Sequence, residues 1–327
     1  MSIGRTFAVA ILGVGGTLVE IEADLANGLP GLALIGLPDR ALGEAGDRVR
    51  SALQNAGVAL PPRKLTVNLS PAALPKRGSG FDLGIALACL AAAGVIAGGV
   101  LDDVVHVGEL ALDGRVRPTS GVLPAVIAAR KAGRTRVVVP WANVDEAQLV
   151  PGMQIQGVRS VRDAAILHGA DLPPHEVEPL VLAPAEIALA AVEGDLADVV
   201  GNEDAIDALV VAAAGGHHMF MLGPPGAGKT MLASRLPGIL PDLCLDDALD
   251  VASMRSLTSW GQLAQLPIRP PFEAPHHKAT DVALVGGGSG AGVIENVALH
   301  EAAQARYRLM RLSRRFEETV HEQFHGL

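Results

Sequence analysis

A glycine-rich segment in the second half of the chain constrains its fold more than any other feature. Residues 219–222 are apolar, residues 223–230 read Gly-Pro-Pro-Gly-Ala-Gly-Lys-Thr, and helix-forming residues follow. This order matches the GxxxxGK(S/T) pattern in the context that the pattern requires, a strand before the loop and a helix after it. The sequence therefore predicts a phosphate-binding loop (P-loop) in an α/β unit. An ordinary glycine-rich turn before a helix is the alternative.

The residue types of this loop suit a triphosphate, which needs many hydrogen-bond donors directed at one small volume. Gly223, Gly226 and Gly228 let backbone N–H groups turn inward without an obstructing Cβ. The helix that begins near Lys229 adds the positive end of its dipole. Lys229 would contact the β- and γ-phosphates, and the Thr230 hydroxyl would coordinate Mg²⁺. The predicted phosphate-binding residues are Gly223, Pro224, Pro225, Gly226, Ala227, Gly228, Lys229 and Thr230.

Length and charge limit the classes of protein to which the chain can belong. Its 327 residues predict two domains, and 49% hydrophobic residues suffice for packed cores. A formal net charge of −9 argues against nucleic-acid binding through overall charge and leaves a local basic surface as an alternative. Cys89 and Cys244 lie far apart between apolar neighbours, which predicts reduced core thiols in a cytoplasmic protein.

Residues 83–101 form an uncharged run that is long enough to cross a membrane. Its glycines and alanines, and the lack of flanking Lys, Arg, Trp or Tyr anchors, favour a buried helix followed by a turn. At the N-terminus, glycines interrupt the apolar stretch and acidic residues follow it, so no signal peptide is expected. We therefore predict no membrane contact and a cytoplasmic location.

Strand-like and helix-like segments alternate in the first half of the chain, which predicts an α/β or α+β domain. The predicted strands are a hairpin within residues 4–24, then residues 31–38, 63–69, 104–107, 114–117 and 136–139. The predicted helices of this half are residues 41–56, a helix opening at 81–83, and residues 123–131. In the second half, residues 185–193, 203–214 and 246–254 are predicted to be helical.

Residues 107–118, together with Gly121 and residues 128–133, resemble the proteolytic domain of Lon. In that family a serine nucleophile works with a lysine, but here the corresponding positions hold Gly80 and Leu123. An apolar residue at the position of the base removes the group that would accept the serine proton. The resemblance therefore implies a Lon-like fold without proteolysis. A shifted pair formed by Ser79 with Lys76 or Lys131 is the alternative.

Four further segments, together with the P-loop, resemble the ComM/YifB family of magnesium-chelatase-like AAA+ proteins. They are residues 28–39, 48–50, 65–72 and 80–87, and the resemblance runs from about residue 4 to about residue 289. It implies a Lon-protease-like α+β domain followed by a partial P-loop NTPase (AAA+) α/β domain. It also implies ATP and Mg²⁺ as cofactors, a homo-oligomeric, hexameric ring if the AAA+ module is complete, and DNA as a partner. The implied activity is that of a DNA-remodelling ATPase, a branch-migration helicase linked to natural transformation.

The predicted domain boundaries follow from this resemblance and from a proline-rich stretch. Residues 1–172 form the Lon-like domain, 173–197 the linker, 198–289 the N-terminal part of the AAA+ domain, and 290–327 a divergent helical tail. Residues 198–202 resemble the segment that flanks the adenine in AAA+ proteins. Residues 271–277 resemble another element of the family, with Glu273 at a position where arginine is usual.

The family pattern stops after residue 289. No apolar run closed by Asp-Glu follows, so the pair that would hold Mg²⁺ and polarise the attacking water is not found. Sensor residues and the arginine finger are not found either, and the catalytic residues are therefore unknown. The alternative function is a truncated, hydrolysis-deficient protein that binds a nucleotide or a partner.

The tail has a pattern of its own, an amphipathic helix rich in arginine. A solvated helix face is one interpretation, and contact with nucleic acid or a partner is another. Residues 321–325 also fit HExxH, which keeps a zinc protease open as a further alternative.

Overall fold

In the computed structural model, which describes residues 3–36, 39–76, 78–180, 194–258 and 263–272, the chain opens with a long β-hairpin. Strands β1 (Gly4–Leu12) and β2 (Gly15–Ala26) pair in antiparallel register, from Gly4 opposite Ala23 to Leu12 opposite Gly15. The turn needs Gly13, whose φ of 59° lies in the left-handed region. The hairpin predicted from residues 4–24 is confirmed.

The described residues form a seven-stranded sheet in the order β3-β4-β2-β1-β5-β8-β9. Its other strands are β3 (Gly31–Ile35), β4 (Lys64–Ser70), β5 (Val104–His106), β8 (Arg136–Pro140) and β9 (Gln154–Val158). Strand β2 pairs antiparallel with β1 and β4, and the remaining neighbours are parallel. Strands β6 (Glu109–Leu110) and β7 (Val116–Arg117) make a separate ribbon. This mixed sheet confirms the predicted α/β character of the first half.

The helices lie between the strands in chain order and pack on the sheet. They are α1 (Arg40–Gly43), α2 (Ala45–Asn55), α3 (Asp82–Ala92), α4 (Val122–Lys131), α5 (Val144–Gln148) and α6 (Val161–Leu167). Every residue of α3 is buried, because the helix packs closely on β1 and β2. A Cβ at Gly4 would lie 2.0 Å from the carbonyl oxygen of Ala88, so only glycine permits this approach. Burying each large apolar side chain of α3 stabilises the fold by about 1.5–3 kcal/mol.

The apolar run at residues 83–101 is not one continuous helix, because α3 ends at Ala92. Gly94 follows with a φ of 78°, and turns lead on to β5. The predicted buried helix and turn are therefore confirmed. None of the helices in the described ranges has the length and apolar character that a membrane crossing requires.

The chain divides into two compact units, residues 1–185 with 253–265, and residues 186–252 with 266–327. The second unit contains a 3-10 turn (Leu196–Asp198), α7 (Glu203–Gly215), α8 (Lys229–Ile239) and the beginning of α9 (Leu245–Thr258). Its buried core joins side chains of the segment before α7 to α7 and α8: Val199, Leu209, Ala212, Ala213, Leu232, Leu236 and Leu240. The helices predicted for residues 203–214 and 246–254 are confirmed.

The two cysteines differ in their surroundings. Cys89 is fully buried in α3, and burial raises the pKa of its thiol to about 12. Cys244 is exposed, so the prediction of a core thiol is wrong for this residue. The apolar neighbours of Cys244 misled the prediction, because Leu245 is itself 48% exposed at the start of α9. Among the described residues no group of three or more His, Cys, Asp or Glu could hold a metal ion.

Candidate nucleotide-binding site

The segment before the glycine-rich loop does not form the strand that its apolar character predicts. Residues 217–224 have no regular secondary structure, and no described strand pairs with them. Met219 and Met221 are half-buried against the core of the second unit, whereas Phe220 and Leu222 are 56% and 68% exposed. The prediction of a strand is therefore wrong for the described part of the chain, because residues 217–224 join neither of its sheets.

The loop that follows adopts a conformation that depends on two glycines. Gly226 and Gly228 both have a φ of 81°, a region that residues with a side chain rarely enter. At Gly226 a Cβ would meet nothing within 4 Å, so glycine is needed there for its backbone conformation and not for space. Ala227 N–H donates to the carbonyl of Pro224 over 3.2 Å and closes the turn.

Helix α8 begins at Lys229, as the sequence predicts, with Gly228 at its N-cap. The first N–H groups of a helix have no acceptor within the helix, and they point towards the loop with the positive end of the helix dipole. Thr230 is exposed in this first turn, where its hydroxyl is accessible to a metal ion. Loop and helix N-terminus together form a concentration of donors that fits the phosphates of a nucleotide.

The side chain of Lys229 lies across its own loop. Its Nζ donates to the carbonyl oxygens of Gly223 over 2.7 Å and of Pro224 over 2.9 Å. These contacts hold the ammonium group beside the loop, next to the N-terminus of α8. A bound phosphate would offer charged oxygens in place of the two neutral carbonyls, and the attraction between opposite charges would add to the hydrogen bonds.

A second segment borders the loop at Gly228. A Cβ built on Gly228 would lie 3.7 Å from Nδ2 of Asn202, so the amide of Asn202 lies beside the loop. Asn202 precedes α7 and has a φ of 57°, and its carbonyl accepts hydrogen bonds from the N–H groups of Ala205 and Ile206. The structure thus brings Asn202 to the P-loop, although adenine contact by residues 198–202 stays a prediction.

Arg235 is a residue of this region that sequence reasoning missed. Its Nε donates to the carbonyl of Asp195 over 3.1 Å, and its Nη1 donates to the carbonyl of Met231 over 2.9 Å. The contact with Asp195 joins residues 40 positions apart, and an isolated arginine in a helix gives no sequence signal of such a bond.

In the first unit, the structure separates the members of the alternative Ser-Lys pair. Lys76 is fully buried, and its Nζ donates to the carbonyls of Gly36, Pro71 and Leu74 over 2.7, 2.5 and 3.0 Å. All three of its donors are therefore engaged by backbone oxygens. Lys131 lies at the exposed end of α4.

The serine and its predicted partners do not form a proton-transfer system either. The Ser79 hydroxyl donates to the carboxylate of Glu109, not to an amine. Leu123, at the position of the Lon lysine, is fully buried. Close by, Arg48 forms a two-point ion pair with Asp82 over 2.9 and 3.0 Å. Burial raises the pKa of Asp82 to about 6 although this ion pair lowers it.

Several sequence predictions lie outside the described residues. These are the helix at 185–193, the segment 281–289 that completes the family resemblance, the element at 273–277 with Glu273, and the tail 290–327 with its HExxH pattern.

Comparison with known proteins places the chain in a family. The family described as subunit ChlI of Mg-chelatase matches residues 21–143, and the family described as magnesium chelatase, subunit ChlI, matches residues 195–301. Protein Rv2897c of Mycobacterium tuberculosis is 48% identical over 294 residues, which are 89% of this chain and 57% of that protein.

Two further relatives carry family names. YifB of Escherichia coli is 38% identical over 325 residues, 98% of this chain and 62% of that protein. Competence protein ComM of Haemophilus influenzae is 42% identical over 297 residues, 88% of this chain and 57% of that protein. The chain thus spans between 57% and 62% of the length of these curated relatives.

A more distant relative is a protease. Lon protease of Mycolicibacterium smegmatis is 32% identical over 185 residues, 53% of this chain and 23% of the protease. The fold is therefore a Lon-protease-like α+β domain followed by a partial P-loop NTPase α/β domain. With both magnesium-chelatase descriptions matched in chain order, the chain belongs to the ComM/YifB family of magnesium-chelatase-like AAA+ proteins.

Proposed function

We propose that the chain binds ATP with Mg²⁺ at residues 223–230 and acts as an ATPase of its family. The observation that carries this proposal is the placement of Lys229, whose Nζ lies beside the loop while its backbone starts α8. Backbone N–H groups of the loop would bind the phosphate oxygens, and Lys229 would neutralise the β- and γ-phosphates. Mg²⁺ held by Thr230 would offset the charge that develops on the phosphate oxygens.

Calorimetry with Mg²⁺-ATP tests the binding step directly. Lys229→Ala removes the charged donor, and losing a hydrogen bond to a charged group costs about 1.5–3 kcal/mol, so we expect the Kd to rise roughly 10- to 150-fold. Lys131→Ala is the matched control, because it removes an exposed lysine from the other unit. Equal affinity of wild type and Lys229→Ala for Mg²⁺-ATP would show that residues 223–230 are not the binding site.

The finer function that we propose is DNA remodelling by a homo-oligomeric ring. Its support is the 42% identity to a protein named competence protein ComM, together with the family resemblance of the whole chain. The test is ATP turnover by the purified chain with and without single-stranded and branched DNA. We expect DNA to raise the rate in the wild type but not in Lys229→Ala. A rate that does not respond to DNA argues against DNA as the partner.

A second candidate function is nucleotide binding without hydrolysis. Its support is the loop itself, because the residues that phosphate binding needs, residues 223–230 and the N-terminus of α8, are consecutive in the chain. Single-turnover measurement with excess protein separates the two candidates, since ATP that is bound but stays intact supports the second. In that case the chain would act through the conformation that ATP stabilises, with the Lon-like domain as its interaction module.

A further inference from the structure

Arg235 connects helix α8 to the segment that precedes α7. It lies six residues after Lys229, and its guanidinium group donates to the backbone at two places, Asp195 and Met231. Gly194 makes room for this group, since a Cβ at that position would lie only 2.9 Å from Cζ of Arg235. The planar guanidinium can donate in two fixed directions, which the single ammonium of a lysine cannot reproduce.

The segment that Arg235 contacts begins with a hydrogen-bonded turn and leads to the border of the P-loop. Asp195 Oδ1 accepts from the N–H of Ala197 over 2.9 Å, and the N–H of Asp195 donates to Asp198 Oδ2 over 3.0 Å. The turn closed by these bonds continues to Asn202, whose amide lies beside Gly228. A displacement of residue 195 is therefore transmitted to the residue that borders the loop.

The position of Asn202 matters for the part of a nucleotide that the loop does not hold. If phosphates occupy the loop, the nucleoside must extend beyond it, along the residues that border it. At Gly228 the bordering side chains are those of Met231 and Asn202, and the fold holds Asn202 in a left-handed conformation, with a φ of 57°. A border that is already in place binds a ligand more tightly, because no ordering cost is paid on binding.

We propose that Arg235 is a positioning residue that fixes residues 195–202 against the P-loop, so that the nucleoside of ATP meets a preformed surface. This inference rests on the proposed function, binding of ATP at residues 223–230. Arg235 itself touches neither the phosphates nor the metal ion in this arrangement. Arg235 therefore contributes to ATP affinity only through the nucleoside, whereas Lys229 contributes through the phosphates.

Two variants break the contact from opposite sides. Arg235→Lys keeps the charge but loses the two-point bond, whereas Gly194→Ala leaves the arginine intact and displaces its guanidinium with a methyl group. The displaced group is the end of a flexible side chain, so the backbone need not move. Ser234→Ala is the matched control, since it removes another side-chain hydrogen bond to the Met231 carbonyl without affecting Asp195.

The readout is the ratio of the Kd values for Mg²⁺-ATP and for inorganic tripolyphosphate, measured by calorimetry on the full chain. We expect Arg235→Lys and Gly194→Ala to weaken ATP binding about tenfold, equivalent to about 1.4 kcal/mol. Tripolyphosphate has no nucleoside, so its Kd should change less than about twofold, within the usual scatter of an exposed substitution. Ser234→Ala should change neither Kd, and circular dichroism should show unchanged helix content in all three variants.

Two results would overturn the inference while leaving the proposed function intact. One is an unchanged Kd for ATP in both contact variants, and the other is equal weakening of ATP and tripolyphosphate, which a merely structural role would produce. A wild-type chain that binds neither ligand would instead refute the proposed function and this inference with it.

Discussion

Acidification should destabilise the first unit because its core contains a hydrogen-bonded pair of histidines. His106 Nε2 and His168 Nε2 lie 2.8 Å apart, and His106 Nδ1 lies 2.7 Å from Thr6 Oγ1, which also lies 3.3 Å from the carbonyl of Val104. One tautomer assignment satisfies every contact: His168 donates to His106, His106 Nδ1–H donates to Thr6, and Thr6 donates to Val104. All three side chains are buried, so a further proton would be placed on a ring without water around it.

The sign and the size of the effect follow from the pKa values of the two rings. Burial, with the nearby His168 and Arg136, lowers the pKa of His106 well below its usual range. Burial and Arg136 lower the pKa of His168 to about 4. The unfolded rings titrate near pKa ~6.5, so between these values the unfolded state binds more protons and stability falls as the pH drops. At about 1.4 kcal/mol per pH unit, His168 contributes a loss of about 2 kcal/mol by pH 5, and His106 acts in the same direction.

Urea unfolding at pH 7 and pH 5, followed by tryptophan fluorescence, measures this loss. Trp141 belongs to the first unit, so its signal reports that unit. His168→Gln keeps an amide that can donate to His106 but cannot titrate. We therefore expect the variant to lose about 2 kcal/mol less than the wild type between the two pH values.

Other groups of the same unit also respond to pH, and comparing wild type with His168→Gln cancels their contribution. Burial raises the pKa of Asp82 to about 6 and also raises the pKa of Glu146. A raised carboxyl pKa makes the folded state bind more protons, which opposes the histidine effect as the pH falls. Both carboxyls are present in wild type and variant, so the difference isolates His168. His175→Gln, at an exposed position, is the control. If wild type and His168→Gln lose the same stability, the buried pair is not the cause.

Three further substitutions should have the following effects. Lys76→Met should lower the free energy of unfolding by about 2–4 kcal/mol. It leaves three carbonyls without a donor, and this loss is partly offset because no ammonium group has to be buried. The control Lys131→Met, at an exposed site, should change the free energy of unfolding by less than about 0.5 kcal/mol. Gly226→Ala should cost about 1–2 kcal/mol through its left-handed backbone alone, with unchanged helix content by circular dichroism. Arg48→Met should cost about 3–5 kcal/mol at pH 7 by leaving Asp82 buried without a counter-ion, and less at pH 5, where a protonated Asp82 no longer needs one. Urea unfolding measures each value, and an Arg48→Met effect that does not depend on pH would contradict the last prediction.

The sequence predicted those features that depend on residues close together in the chain. The hairpin, the start of α8 at Lys229 and the glycine turns before it are set by local residue types, and the sequence located them. Strand β9 was missed because Gln154–Val158 is a short segment with two glutamines and a glycine, which gives little strand signal. Its position is fixed by parallel pairing with β8, a contact between distant parts of the chain.

The region that corresponds to the Lon protease site shows the same difference between what local sequence predicts and what long-range contacts decide. Sequence alone indicated that Leu123 cannot act as a base, but it left Lys76 available as a substitute. The structure shows Lys76 held by three carbonyls from two separate loops, those of Gly36 and of residues 71–74. The basic side chain that could have supported catalysis instead fixes the loop that carries Ser79. No spacing rule predicts such an arrangement, because it depends on how the two loops meet.

The same reasoning separates nucleotide binding from hydrolysis in this chain. Phosphate binding needs only one loop and the helix that continues it, and both are built from consecutive residues that the structure describes. Hydrolysis also needs a carboxylate pair and charges from other parts of a module, which must converge on the γ-phosphate. A substitution in the loop should therefore weaken both steps, whereas changes elsewhere in the module can remove turnover and leave binding intact. For this reason ATP affinity, and not ATP turnover, is the measurement that decides whether residues 223–230 work as a P-loop.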